Sequence, residues 1–212
     1  MGINSAKCTL VTRRRIVAAA AALPLFGLST RRGWAARPMY RFKYANNLPV
    51  THPINSRVRE ILPKILQESN GKLEVRVFPN NQLGGDSDML SQLRSGAMEM
   101  FTLSGTNVLS TLVKPTALYG IGFAFSDYGH VWSALDGELG AYLRGIISKL
   151  GLHAFDKLWD IGFRQITSST KPIQTPEDLK GFKIRVPISP LWTSLFQNLG
   201  AAPTSINFNE VY

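Results

Sequence analysis

Residues 40–78 read YRFKYANNLPVTHPINSRVREILPKILQESNGKLEVRVF, and this stretch decides the fold class. Residues 40–45 alternate aromatic and basic side chains, as a half-buried strand does. A helix pattern begins near residues 51–53, and its apolar residues recur on one face until Asn70-Gly71 ends it. Leu73–Phe78 alternates again as a strand. Strand, helix and strand in this order usually form a parallel sheet covered by helices.

The same alternation continues through the rest of the chain. Asp86 or Ser87 is predicted to cap a helix that ends at Gly96. The remaining predicted elements are a strand over 98–103, two helices after Tyr128 with the second ending at Gly151, strands over 153–159 and 182–186, a helix over 190–199 and a short strand over 202–206. The predicted fold class is therefore α/β. Because the helix that Asn209 would cap has only three more residues, we expect the chain to be a fragment of a longer protein.

The charge of the chain is unevenly distributed. The formal net charge is +10, from 24 basic and 14 acidic residues. Residues 1–36 hold six of the basic residues and none of the acidic ones, so the remainder is only mildly basic and has no basic run. Nucleic-acid binding needs a dense basic patch on a folded surface. We therefore expect no nucleic-acid partner.

Residues 1–36 are predicted to be an export signal. Arg13-Arg14-Arg15 precede an apolar run that is too short to span a bilayer, and small residues follow where a peptidase could cut. The segment resembles a twin-arginine (Tat) signal, and an ordinary Sec signal is the alternative. Cys8, the only cysteine, falls inside this segment. The body of the protein is expected in the periplasm, without a disulfide and without a membrane span once the signal is removed.

Patterns that would indicate an enzyme are scarce. His52, His130 and His153 are scattered, and no spacing places two of them on one helix face for zinc. The sequence has no G-x-S-x-G elbow, no Walker loop and no complete dinucleotide fingerprint. We expect no catalytic residues, no metal and no cofactor.

Residues 162–187, GFRQITSSTKPIQTPEDLKGFKIRVP, contain two arginines of interest. Arg185 lies near the end of a predicted strand that Pro187 stops, and Arg164 precedes it by 21 residues. A guanidinium offers a planar fork of donors that matches a carboxylate. From pattern alone, such an arginine is more often a surface charge or a structural ion-pair partner. Five aromatic residues are most simply core residues, although some fall near this stretch: Trp132, Trp159, Trp192, Phe196 and Phe208.

Ordered motifs across nearly the whole body of the chain resemble the solute-binding proteins of TRAP (tripartite ATP-independent periplasmic) transporters, the DctP-like family. The motifs are PNNQLGG at 79–85, GFR at 162–164, LKGFKIRVP at 179–187, GAAPT at 200–204 and FNEVY at 208–212. The resemblance implies a periplasmic-binding-protein-like clamshell of two α/β lobes with mainly parallel sheets. On this basis residues 37–161 form lobe I, and residues 162–212 form the start of an incomplete lobe II.

The resemblance also implies site residues and a function. Arg185 matches the arginine that grips the ligand carboxylate, Arg164 matches an assisting arginine, and Asn47 and Phe208 match further pocket positions. Ser104 stands about where some members have an acidic ligand contact, which argues against a sialic-acid-like ligand. The implied function is an extracytoplasmic receptor that delivers a small organic acid to a TRAP membrane permease for import. The alternatives are an exported enzyme acting on organic acids and a non-functional remnant of the receptor.

Overall fold

A computed structural model of the chain describes residues 38–103 and 108–211. The predicted export signal over 1–36, with Cys8, and the Ser104 position lie outside these residues. The strands are β1 Tyr40–Asn46, β2 Leu73–Phe78, β3 Met100–Thr102, β4 Lys183–Val186 and β5 Ala202–Ser205. The α-helices are α1 Pro53–Glu68, α2 Asp86–Ser95, α3 Tyr128–Leu135, α4 Glu138–Ser148 and α5 Pro190–Asn198. Short 3-10 helices cover Val108–Thr111, Lys114–Gly120, Pro176–Leu179 and Phe208–Glu210.

The described strands form two parallel sheets. In the first, β1 lies between β2 and β3, with Ala45 opposite Phe78 on one side and opposite Phe101 on the other. In the second, β4 pairs with β5, and Arg185 lies opposite Thr204. Because parallel strands need a crossover between them, each sheet is connected through helices, as residues 40–78 predicted. The α/β fold class with parallel sheets is confirmed.

Two apolar clusters pack helices α2 and α4 against the first sheet. One joins β1 to α2 and the turn that follows it through Ala45, Met89 and Met98, which are almost completely buried. The other packs α2 and α4 around the first 3-10 helix: Leu90, Val108, Leu109, Val113 and Ile147. Burial of such side chains stabilises a fold by about 1.5–3 kcal/mol each. Helix α2 takes part in both clusters, so its N-terminus is fixed relative to the end of β1.

The ends of the helices follow local capping rules, with some shifts from the sequence predictions. Helix α2 is capped by Gly85 rather than by Asp86 or Ser87, because the Asp88 carboxylate accepts the Gly85 N–H at 3.0 Å. Gly96 ends this helix in the left-handed conformation with φ 75°, as predicted. Thr175 caps the 3-10 helix Pro176–Leu179, since Asp178 accepts the Thr175 N–H at 2.9 Å in a capping box. Helix α4, however, ends at Ser148 rather than at Gly151.

Two expectations for the segment after α4 were wrong. Residues 153–159 form no strand in the part of the chain that the structure describes. An alternating pattern forms a strand only where a neighbouring strand accepts its hydrogen bonds, and Lys157 in this segment instead bonds Asp136 on the surface. Trp159 is 51% exposed and is not a core residue.

The residues that the structure describes form one compact unit, with the three-stranded sheet in its N-terminal part and the two-stranded sheet in its C-terminal part. The division into lobes at residues 161 and 162 stays a prediction. Within the described ranges, no helix is both long enough and apolar enough to cross a bilayer.

Candidate ligand-binding site

Arg185 is held at the end of β4 by the strand next to it. The parallel register of β4 and β5 carries the chain past Thr204 to Ile206, whose carbonyl accepts hydrogen bonds from Arg185 Nε at 3.0 Å and Nη2 at 2.6 Å. The half-buried guanidinium also lies over the ring of Phe208, with 5.7 Å between Cζ and the ring centroid. A cation over an aromatic face is attracted by the ring quadrupole. The structure thus brings together Arg185 and Phe208, two residues that the sequence analysis selected.

Arg164 lies over a different aromatic ring, and its charge interacts with the charge of Arg185. Its Cζ atom is 5.2 Å from the ring centroid of Trp192, and Trp192 Nε1 donates to the Gly120 carbonyl at 2.6 Å. Although the residue as a whole is exposed, desolvation by surrounding protein and then repulsion from Arg185 lower the pKa of the Arg164 guanidinium. The two predicted arginines therefore lie close enough for their like charges to interact.

Asn47 follows directly after β1 and is buried. Its amide Nδ2 donates to Asp86 Oδ2 at 3.0 Å, at the first residue of α2. Burial raises the pKa of the Asp86 carboxyl, while the hydrogen bond from Asn47 and attraction to Arg185 oppose that rise. Asp86 thus links Asn47, at the end of the first sheet, to Arg185, in the second sheet.

A buried network of amides fixes the turn that carries Asn47. Asn46 Nδ2 donates to Asn55 Oδ1 at 2.8 Å, and the Leu48 N–H donates back to Asn46 Oδ1 at 3.0 Å. Asn55 Nδ2 donates to the carbonyls of Leu48 at 3.3 Å and Pro49 at 2.7 Å. Both asparagines are fully buried, so each bond replaces one that water would otherwise make. The first turn of α1 therefore supports the position of Asn47 behind the site.

Residues 207–209, which follow β5, contact the loop that precedes α2. Asn207 packs directly on Gly85, since a Cβ atom added at Gly85 would lie 3.0 Å from both Asn207 Nδ2 and Asn207 Oδ1. One step further along, Asn81 Nδ2 donates to Asn209 Oδ1. These contacts join the loop before α2 to the 3-10 helix after β5. In parallel α/β folds, ligands bind at the carboxyl ends of the strands, which is where all of these residues lie.

Three residues of this arrangement were not predicted from the sequence. Asp86 was predicted only as a possible helix cap, Trp192 was predicted in the core, and no role was predicted for Asn207. An acid directly after a Gly-Gly pair at a helix N-terminus was the available signal for Asp86. Ser104, the other position noted from the family resemblance, lies outside the described residues. Within the described ranges, no group of three or more His, Cys, Asp or Glu side chains is placed to hold a metal ion. The groups that do converge are guanidinium, amide and carboxyl groups beside aromatic rings. Among these, the guanidinium groups are donors that suit a carboxylate.

Comparison with known proteins identifies the family. The model of the DctP family, bacterial extracellular solute-binding protein family 7, matches residues 44–212. The 2,3-diketo-L-gulonate-binding periplasmic protein of Escherichia coli is 37% identical over 149 residues, which are 70% of this chain and 45% of that protein.

Solved structures of TRAP periplasmic solute-binding proteins have the same fold. The protein from Sulfurospirillum deleyianum, with bound succinate, is 33% identical, has a TM-score of 0.74 and aligns over 82% of this chain and 56% of its own. The protein from Bradyrhizobium, in complex with galacturonate, is 35% identical, has a TM-score of 0.74 and aligns over 81% of this chain and 57% of its own. The chain thus spans about half the length of the relatives it matches. These relatives are solute-binding proteins rather than enzymes. The chain belongs to the DctP family of bacterial extracellular solute-binding proteins.

Proposed function

We propose that this protein is the periplasmic receptor of a TRAP transporter, which captures a small organic acid and delivers it to a membrane permease for import. Arg185 is the main anchor for the ligand carboxylate, and Arg164, Asn47 and Phe208 support it. The relatives described above include proteins with succinate, galacturonate and 2,3-diketo-L-gulonate as their ligands, all of them organic acids. Their shared chemistry is a carboxylate.

One observation carries this proposal: Arg164 and Arg185 each lie over an aromatic ring, and they are close enough for their positive charges to repel each other. Two like charges that are partly removed from water raise the free energy of the ligand-free protein. A carboxylate bound beside both guanidinium groups would be attracted to each of them, and these two attractions would offset the repulsion between the cations. The aromatic rings under the two cations keep the guanidinium planes in place, so little side-chain entropy is lost on binding.

The position of the arginines also supports a receptor that closes around its ligand. Arg185 belongs to the second sheet, whereas Asn47 and Asp86 belong to the first sheet and its helix. A ligand held between them would bring the two sheets into one closed arrangement and exclude water from the ion pair. Exclusion of water strengthens each electrostatic contact, which is the advantage of closure for an acid receptor.

The test is a comparison of ligands that differ in the carboxylate alone. We expect galacturonate or another organic acid to bind the full-length protein saturably in calorimetry and to raise its melting temperature. At a concentration of about 100 times Kd, the stabilisation would be about 2.7 kcal/mol. The neutral sugar of the same skeleton, such as galactose in place of galacturonate, is expected to give neither signal. Equal binding of the neutral and acidic partners, or no response to any organic acid, would contradict the proposed function.

A further inference from the structure

Four buried side-chain oxygens near the candidate site have no hydrogen-bond partner among the residues that the structure describes. They are Asn47 Oδ1, Asn81 Oδ1, Asp86 Oδ1 and Asn207 Oδ1. A buried acceptor that loses water without gaining a donor costs about 1–3 kcal/mol. Native proteins contain few such groups, and a cluster of them needs a physical reason.

The orientation of Asn47 is set by its partner. A carboxylate accepts hydrogen bonds and donates none, so the amide nitrogen of Asn47 must be the atom that faces Asp86 Oδ2. Asn47 Oδ1 is therefore the atom without a donor, and Asn47 is only 4% exposed. The opposite oxygen of the same carboxylate, Asp86 Oδ1, also lacks a donor. An acceptor on each of these two bonded side chains thus remains unsatisfied.

The other two oxygens belong to the same place in the fold. Asn207 packs on Gly85, the residue immediately before Asp86, and Asn81 lies in the preceding loop and bonds Asn209. The acceptors therefore come from both sides of the contact between the loop before α2 and the segment after β5. Acceptors buried on both sides of one contact require donors, and hydroxyl groups of a ligand are suitable donors.

We propose that this site selects a monocarboxylic acid that carries several hydroxyl groups and discriminates against dicarboxylic acids. The carboxylate binds at Arg185 and Arg164, and the hydroxyl groups donate to Asn47, Asp86 and the neighbouring asparagines, with Asn207 moving off Gly85 to admit them. This inference rests on the proposed function and adds the chemical class of the ligand.

The charges of the site support the same choice. Arg185 interacts electrostatically with both Arg164 and Asp86, so these three groups together carry one net positive charge when Asp86 is ionised. One carboxylate neutralises that charge. A second carboxylate would bring a net negative charge to the site and would meet Asp86 and amide oxygens instead of donors, which is unfavourable away from bulk water.

Four six-carbon acids separate the two factors in calorimetric titrations of the full-length protein. Galactonate has one carboxylate and many hydroxyl groups, hexanoate has one carboxylate and no hydroxyl group, galactarate has two carboxylates with hydroxyl groups, and adipate has two carboxylates without them. We expect galactonate to bind at least about tenfold more tightly than each of the other three, since a few hydrogen bonds or one unpaired charge account for such a factor. Tightest binding of adipate or galactarate would overturn the inference and leave the proposed function intact. Failure of every organic acid to bind would overturn both.

The Asp86→Asn variant tests the source of the discrimination, because it removes the charge and keeps the shape. We expect the ratio of galactonate affinity to galactarate affinity to fall by about tenfold or more in this variant. The matched control is Asp156→Asn, whose carboxylate is 92% exposed and should leave the ratio unchanged. An unchanged ratio in folded Asp86→Asn protein would overturn the assignment to Asp86. If that variant does not fold, the four-acid series with the unmodified protein decides the inference by itself.

Discussion

The carbonyl of Ile206 accepts two hydrogen bonds from the guanidinium of Arg185, from Nε at 3.0 Å and from Nη2 at 2.6 Å. The contact joins β4 to the chain just beyond β5, so it depends on the parallel register of the two strands. It also fixes the plane of the guanidinium, which has five N–H donors in a rigid fork. An ammonium group at the end of a flexible chain would have no such plane to fix.

Replacement of Arg185 by lysine is therefore expected to impair ligand binding although it preserves the charge. Arg185→Ala should cost about 2–5 kcal/mol of binding free energy for an organic acid, and Arg185→Lys should recover only part of this loss, because lysine cannot form the two-pronged contact. Calorimetric titration of both variants measures the effect. Arg94→Ala, which removes an exposed arginine in the last turn of α2, is the control and should bind normally. Full affinity in Arg185→Lys would show that ligand binding does not need the two parallel hydrogen bonds of a guanidinium.

Trp192 supports Arg164 in two separable ways, through its ring face and through its Nε1–H bond to the Gly120 carbonyl. Trp192→Phe keeps a ring and loses the hydrogen bond, so we expect a stability loss of about 1 kcal/mol and a small effect on affinity. Trp192→Ala loses both and should weaken ligand binding further, by about 0.5–2 kcal/mol. Urea unfolding and calorimetry separate the two effects. Equal affinity in the alanine and phenylalanine variants would show that the ring does not support Arg164.

The sequence predicts the strands and helices of this protein better than it predicts the contacts between them. The two-residue period of residues 40–45 and 73–78 requires no tertiary information, and β1 and β2 form where that period indicates. The role of Asp86 depends on how the end of β1 meets the start of α2. That meeting requires Asn80, Asn81 and Gly84 to take positive φ angles of 54°, 56° and 109°, which a hydrophobicity pattern does not encode.

The opposite error occurred over residues 153–159, where a pattern was present and a strand was not. Pairing is a property of two segments, and the pattern of one segment does not reveal whether a partner exists. For the same reason, Arg164 and Arg185 could be assigned to one site from the family resemblance but not from their spacing, since the chain between them gives no distance in space.

Asn55 is expected to be important for stability although it is not one of the candidate ligand-binding residues. Asn55→Ala removes the acceptor for Asn46 Nδ2 and the donor to the Leu48 and Pro49 carbonyls, and it leaves these groups buried. We expect a loss of about 1–3 kcal/mol in the free energy of unfolding, together with weaker binding because Asn47 follows this turn. Ser56→Ala, at the exposed neighbouring position, is the control in the same urea titrations and should have little effect. A loss no larger than that of the control would contradict the role of the network.

Gly85 is expected to require the absence of a side chain because Asn207 packs on it. In Gly85→Ala, the new Cβ would lie 3.0 Å from the Asn207 amide, so that amide must move. Since the φ of Gly85 is −67°, alanine fits the backbone, and the expected effect is on ligand affinity and on the contact with the segment after β5. Gly145→Ala, in α4 with no atom within 4 Å of the added Cβ, should instead stabilise the protein by up to about 1 kcal/mol. Calorimetry and thermal unfolding of both variants provide the measurement, and unchanged affinity in Gly85→Ala would exclude Asn207 from the site.

The raised pKa of Asp86 predicts a particular dependence of stability on pH. Because burial raises this pKa above 3.8, the folded protein holds the Asp86 proton more tightly than the unfolded chain does. The cost of ionising the folded state therefore develops as pH rises from below 3.8 through the raised pKa, and it persists at neutral pH. Asp86→Asn removes this cost, so the variant should gain stability relative to the unmodified protein between about pH 3 and about pH 7, with about 1.4 kcal/mol for each tenfold difference in proton affinity.

Asp178 provides a control of opposite sign, because hydrogen bonds from the Gln174 and Thr175 N–H groups lower its pKa. Asp178→Asn should accordingly lose stability over the same rise in pH. Urea unfolding of both variants at the two pH values measures these changes, and a relative loss for Asp86→Asn at neutral pH would mean that the carboxylate is stabilised, not destabilised, by its surroundings.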